Sequence, residues 1–209
     1  MFYTEEMDNA LRFGDLLKGY FSTTPIIKEP LLKKTKNYNI DVTFPIFSVI
    51  IAPCCEIGNK TISLTSLIQV RGSFFDNPYL AEDLTRVNRR MTPEQAIPPS
   101  AWKIMPEEEK QRRLEVGSQF AFLNLFVYEK HDLLPKYTLH RRGTNIKTNY
   151  YMIDFKNTHK LCCDKIISPI KAPLDSKVLQ LSVETRKELR EKIAYYYGRA
   201  APEDEALED

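Results

Sequence analysis

The chain has 209 residues, 43% of them hydrophobic, so a core can form and global disorder is not expected. No apolar run approaches the ~20 residues of a membrane span and no signal-peptide core comes after Met1, while four cysteines in two adjacent pairs make no disulfide framework, so a reducing cytoplasm is expected. The formal net charge of +2 is uneven: residues 200–209 carry five acids and no lysine or arginine, which leaves about +7 on the rest, a balance that permits an anionic partner without requiring one.

The polar, acidic start, Met1 to Asn9, reads as a frayed end or short helix. Gly14-Asp15 forms a turn into an apolar strand over Leu16 to Phe21. Ser22 to Asn39 holds two prolines and four lysines and predicts a basic loop, with a short strand near Pro25 to Ile27. The chain is organised around the stretch from Phe44 to Val70. Ile46 to Ala52 is β-branched and aromatic without helical period and reads as a buried strand. Pro53 stops it, Gly58-Asn59 turns, and Thr61 to Ile68 is the next strand. Cys54-Cys55-Glu56 sits between the two, where a strand passes into a loop.

Tyr79 to Met91 is compatible with a helix that buries Leu80, Leu84 and Val87. Pro106 to Glu115 predicts a second helix, with proline in its first turn and acids near its positive end. Gln119 to Val127 reads as a strand or buried segment, and Pro135 to His140 and Tyr150 to Phe155 read as strands, with Arg141-Arg142-Gly143 turning between these two. Ser182 is a good N-cap for a final helix, Val183 to Tyr197, whose core face would carry Leu189, Ile193 and Tyr196 or Tyr197. Gly198 suits its C-terminal stop. The acidic tail, 200–209, is expected to be disordered.

Gly14-Asp15-Leu16, the strand from Pro45, the loop after Ala52 and the strand Ile62 to Leu67 together resemble the core of the MazF/PemK toxin family. The resemblance covers residues 11–71, about a third of the chain. It implies an α+β protein built on an SH3-like (PemK/MazF-like) antiparallel β-barrel, which strands between 119 and 155 would complete and helices would flank. On that reading residues 1–199 are a single domain. A closer resemblance is to uncharacterised bacterial proteins that carry a strand followed by Cys-Asp/Glu-Ile and a C-terminal Leu-Ser-x-x-x-Arg-x-x-Leu helix. Cys55-Glu56-Ile57 and Leu181-Ser182 with Arg186 and Leu189 match it. These resemblances imply a bacterial defence or toxin–antitoxin-like setting.

MazF-type toxins cut single-stranded RNA through attack of the ribose 2′-hydroxyl on the adjacent phosphate, so the site needs a base and a cation. The family's arginine lies just before the central strand's proline. Here Val42-Thr43-Phe44-Pro45 contains none. The second-strand hydroxyl survives as Thr65 or Ser66, and Arg71 or Arg12 is the available substitute cation. The expectation is therefore a non-catalytic or catalytically weakened binding module, with a metal-independent, sequence-specific endoribonuclease as the alternative. Its partner is single-stranded RNA or DNA, or a protein encoded alongside it.

Phosphate contacts are expected from Lys33, Lys34 and Lys36 of the basic loop and from Arg141 and Arg142. Tyr137, Tyr150 and Tyr151 are candidates for base stacking, although aromatics at strand spacing more often serve the core. Cys55 and Glu56 form a further binding candidate, with Glu56 pinning its loop through backbone N–H groups. Cys55 is also a nucleophile candidate, but nothing selects a partner among His131, His140 and His159. Cys54, Cys55, His159, Cys162 and Cys163 supply enough ligand types for zinc, which makes a zinc-stabilised scaffold a third class. Adjacent cysteines diverge and no C-x-x-C knuckle is present, so no metal or other cofactor is expected.

Overall fold

A computed structural model describes residues 1–20, 22–27, 38–52, 61–162 and 177–198. The basic loop with Lys33, Lys34 and Lys36, the Cys54-Cys55-Glu56 segment with its turn, Cys163 and the acidic tail lie outside the described residues. The first half carries strands β1 (Leu16–Leu17), β2 (Ser22–Ile27), β3 (Tyr38–Thr43), β4 (Ser48–Ile50), β5 (Thr61–Ser66) and β6 (Ile68–Gln69). A 3-10 helix (Gly72–Asp76), helix α1 (Pro78–Glu82), a second 3-10 helix (Leu84–Asn88) and helices α2 (Pro93–Ala96), α3 (Pro99–Ile104) and α4 (Glu107–Val116) come next. Then come β7 (Leu125–Tyr128), β8 (Tyr137–Arg141), β9 (Thr144–Thr148), β10 (Tyr151–Asp154), β11 (Thr158–Cys162), β12 (Lys177–Leu179) and α5 (Val183–Gly198).

The protein is α+β with antiparallel sheets, and the chain divides into two compact units. The first comprises Tyr3–Ile68 and Lys156–Leu181. Its five-stranded sheet runs β11-β5-β4-β1-β12 and is open, with β11 and β12 outermost among the described residues. Gly14 has φ +86°, a conformation that a side chain would strain. Its amide donates to the Ile50 carbonyl at 2.7 Å, and Ile50 N donates back to the Asp15 carbonyl at 3.0 Å. The Gly-Asp turn thereby ties β1 to β4, and Leu17, Ile50, Ala52, Ile62 and Leu64 close into a buried core.

A buried ion pair sits beside that turn. Asp15 Oδ2 lies 2.9 Å from Lys177 Nζ, and both side chains are almost fully enclosed. Lys177 also donates to the Ala10 carbonyl at 2.8 Å and to Gln180 Oε1 at 2.5 Å. Burial raises the Asp15 carboxyl to about 6, against the opposing pull of Lys177.

The second unit comprises Met1–Phe2, Gln69–Phe155 and Ser182–Asp209. β7 pairs antiparallel with β10, and β6, where the chain enters this unit, completes a sheet of order β6-β10-β7. The strands between 119 and 155 thus form sheets of their own: β7 and β10 here, and the separate ribbon β8–β9. All four residues of β7 are buried. Leu125 and Val127 pack with Phe74, Leu80, Leu84 and Val87 of the helical segment, while Phe126 and Tyr128 meet the Phe2 ring. Asn88 satisfies an edge of β7: its Nδ2 donates to the Val127 carbonyl at 2.7 Å, and Val127 N donates to its Oδ1 at 2.6 Å. One side-chain amide there replaces the hydrogen bonds of a neighbouring strand.

Candidate nucleic-acid interface

The connections from β7 to β8 and from β9 to β10 build a basic cleft in the second unit. Lys130, Lys136 and Lys147 line a volume of about 620 Å³ with His131, Thr148 and Asn149, and Asp132 is the one carboxylate of its lining. Asn149 Nδ2 donates to the His131 carbonyl at 2.9 Å, which fastens the two connections together. The Lys130 ammonium stands 4.8 Å from the centre of the Tyr150 ring. That cation–π contact fixes the side chain without neutralising its charge.

β8 and β9 leave this cleft as a two-stranded ribbon. Its register pairs Thr138 with Lys147 and His140 with Asn145. Tyr137 and Leu139 pack against the core cluster, and strand alternation turns Thr138, His140, Asn145 and Lys147 to the exposed side. His140 Nδ1 lies 2.7 Å from Asn145 Oδ1. Residues 133–153 contain four lysines and arginines and no carboxylate. That block is readable in the sequence and is the signal that points to Lys136 and Lys147. His140 and Asn145 give no such signal, because only the register brings them together.

The ribbon turns at Arg142-Gly143, with φ +47° and +78°. Two successive positive φ values are the geometry that matches the twist of a hairpin, and glycine or asparagine is its usual first residue. Arginine there is strained by about 1 kcal/mol. The two expected arginines divide in role. Arg141 Nη2 binds Asp76 Oδ2 at 2.6 Å, and its stem lies over Gly72. Arg142 reaches the same carboxylate oxygen only at 3.4 Å and is 73% exposed. The Arg141 hydrogen bond, with the charges of both arginines, holds the Asp76 carboxyl below its ordinary range.

Of the three tyrosines, two are interior and Tyr137 is half-buried. Tyr150 and Tyr151 are buried, and Tyr137 donates its hydroxyl to the Tyr150 carbonyl while accepting from Val70 N at 3.0 Å. Tyr151 Oη donates to the Pro135 carbonyl at 2.9 Å. Burial pushes Tyr137 and Tyr150 up to about 12. Tyr150 and Tyr151 therefore offer no open face for a base, and the hydroxyl of Tyr137 is held by the backbone of its neighbours.

Thr65 and Ser66 lie on β5 of the first unit, Thr65 fully buried between Val49 and Thr158, Ser66 half-buried opposite Ser48. Arg71 is exposed in the second unit, at the N-cap of the 3-10 helix Gly72–Asp76. Arg12 is paired with Asp8 at 2.9 Å. His159, on β11, is half-buried, with neither ring nitrogen hydrogen-bonded among the described residues, and burial lowers its pKa. Cys162 ends that strand.

A second cleft of about 560 Å³, between Met91 and Phe122, contains Arg112 and Arg113, but Glu109 pairs with both at 2.6 and 2.7 Å. A third, of about 310 Å³, is lined by Asp83, Glu129, Glu184 and Glu188 against Arg89. Of these three clefts, the one at the base of the ribbon is the one whose charge favours an anion. Among the described residues, no helix is long and apolar enough to cross a membrane. Comparison with family models, with curated proteins and with solved structures found no match to this chain.

Proposed function

We propose that this protein is a nucleic-acid-binding module with a PemK/MazF-like, SH3-like core whose catalysis is lost or weakened, serving a bacterial defence or toxin–antitoxin-like system. The observation that carries the binding is the cleft in which Lys130, Lys136 and Lys147 face a single lining carboxylate, Asp132, at the base of a ribbon free of acids. Three lysines lining one cleft with a single carboxylate give it a positive potential that attracts a phosphate chain. The family-like core is supported by the Gly14-Asp15 turn, with Gly14 at positive φ, and by the antiparallel β4–β5 pair. Weakened catalysis is supported by the absence of arginine before Pro45. Losing a preorganised cation from a phosphoryl transition state costs several kcal/mol, hence orders of magnitude in rate.

Fluorescence anisotropy with labelled DNA and RNA oligonucleotides tests the binding. Affinity should fall steeply with salt, and Lys130→Ala with Lys136→Ala should weaken every nucleic acid to a similar degree. Absence of salt-dependent binding would overturn the reading. Incubation with long single-stranded RNA tests catalysis. Metal-independent fragments ending in 2′,3′-cyclic phosphate, lost in Thr65→Ala or Arg71→Ala, would make the protein a ribonuclease instead.

A further inference from the structure

We infer that the β8–β9 ribbon enters the major groove of B-form duplex DNA, with His140 and Asn145 toward the base edges and Arg142 and Lys147 on the two flanking phosphate backbones. The inference rests on the nucleic-acid reading above and assigns it a substrate class.

Three observations favour a duplex over a single strand. Single-strand binders stack bases on open aromatic faces, and this ribbon's exposed side carries Thr138, His140, Asn145 and Lys147, with its one tyrosine, Tyr137, on the opposite side against the core cluster. A two-stranded ribbon is one of the shapes that the B-DNA major groove admits. The third is spacing. Lys147 lies three residue steps along β9 from Thr144, ~10 Å of strand at ~3.4 Å per residue, and Arg142 sits beyond that in the turn. The span is comparable to the ~12 Å width of the groove, so a ribbon lying across it brings a cation toward each backbone.

The A-form groove of duplex RNA is deep and narrow and excludes side chains, so the same ribbon has no fit there. The exposed pair between the two cations has base-reading chemistry. Asn145 Oδ1 only accepts, so the His140 Nδ1 that faces it at 2.7 Å carries a proton. Asn145 Nδ2 is then left to donate and, in neutral imidazole, His140 Nε2 to accept. A donor beside an acceptor complements the N7 acceptor and N6 donor of adenine. Arg142 fits the same picture. It holds an exposed guanidinium in a strained turn position at a cost to the fold, and such strained positions cluster at ligand contacts.

The full chain is titrated against a fluorescent DNA duplex of about two helical turns, the RNA duplex of the same sequence, and each single strand. The DNA duplex should bind about tenfold tighter than the others. Methyl green, a major-groove ligand, should displace the protein, and netropsin, a minor-groove ligand, should not. Arg142→Asn and Lys147→Ala should each weaken binding about three- to tenfold and reduce the salt slope by about one. Arg142→Asn suits the turn better than arginine, so its loss of affinity cannot be ascribed to misfolding. His140→Ala and Asn145→Ala should flatten the preference among duplex sequences and leave the salt slope unchanged. Equal or tighter binding to RNA duplex or single strands, or displacement by netropsin alone, would overturn the groove assignment and leave the nucleic-acid reading standing. Failure to bind any nucleic acid would overturn both.

Discussion

Among the described residues, Lys192 is a cation without a counter-charge. It lies on α5 with its side chain fully buried, donates Nζ to the Val87 carbonyl at 2.5 Å, and stands 5.3 Å from the centre of the Phe120 ring. Burial lowers its pKa from 10.5 to about 7. In the unfolded chain it keeps its proton up to the higher value, so between the two the unfolded state binds more protons and stability rises with pH. The full span corresponds to about 3–5 kcal/mol. Lys192→Met keeps most of the stem and removes the charge. It should raise the urea midpoint of the second unit by an amount worth a few kcal/mol at about pH 6, and the gain should vanish near pH 10. A gain independent of pH would show that the ammonium is not desolvated. Asp15 acts in the opposite sense in the first unit. Its folded pKa of about 6 exceeds the ordinary 3.8, so the folded state holds more protons in that window and stability falls as pH rises through it. Lys192 also shows why a core can be misread from sequence. The expected stripe on α5 was Leu189, Ile193 and Tyr196 or Tyr197, whereas the buried residues are Thr185, Leu189 and Lys192. A lysine at a helical position looks like surface until the packing is known.

At the scale of elements, β7 depends on a side chain. Asn88→Ala would leave the Val127 amide and carbonyl buried and unpaired, and it should destabilise the protein by about 2–4 kcal/mol. Urea denaturation measures this, and a loss under about 1 kcal/mol would mean that water or a shifted strand replaces the amide. Strands with strong apolar signals were legible: β4, β5, β7 and β10 fall within or largely within expected segments, and α5 begins after Ser182, whose Oγ accepts from Thr185 N at 3.2 Å. The expected helix over 79–91 is instead α1 and a 3-10 helix. Asp83 divides them, because its carboxylate accepts from both Thr85 N and Thr85 Oγ1 and so starts a new segment. β9, Thr-Asn-Ile-Lys-Thr, has the composition of a loop and becomes a strand only through β8 and the Arg142-Gly143 turn. The candidate interface was half legible for the same reason. A turn at these arginines could be read, but it leads into β9 and not into the expected strand Tyr150 to Phe155, and which arginine faces solvent, and the pairing of His140 with Asn145, depend on register.

At the scale of the whole molecule, charge is unevenly placed along the chain. The last ten residues, 200–209, hold five acids against about +7 elsewhere. They are joined to the second unit, the one that contains the basic cleft, and a tethered polyanion competes with phosphates for the same lysines at high effective concentration. Each interaction is weak and screened within ~8 Å at physiological salt, so the effect belongs to low ionic strength. A chain ending at Arg199 should bind a DNA duplex several-fold more tightly than the full chain at low salt. The advantage should shrink as salt rises, because competing charges are screened together. Replacing the five acids by their amides should reproduce the gain at unchanged length, which separates charge from bulk. Equal affinity for full and shortened chains at low salt would mean that the tail does not compete for the cleft.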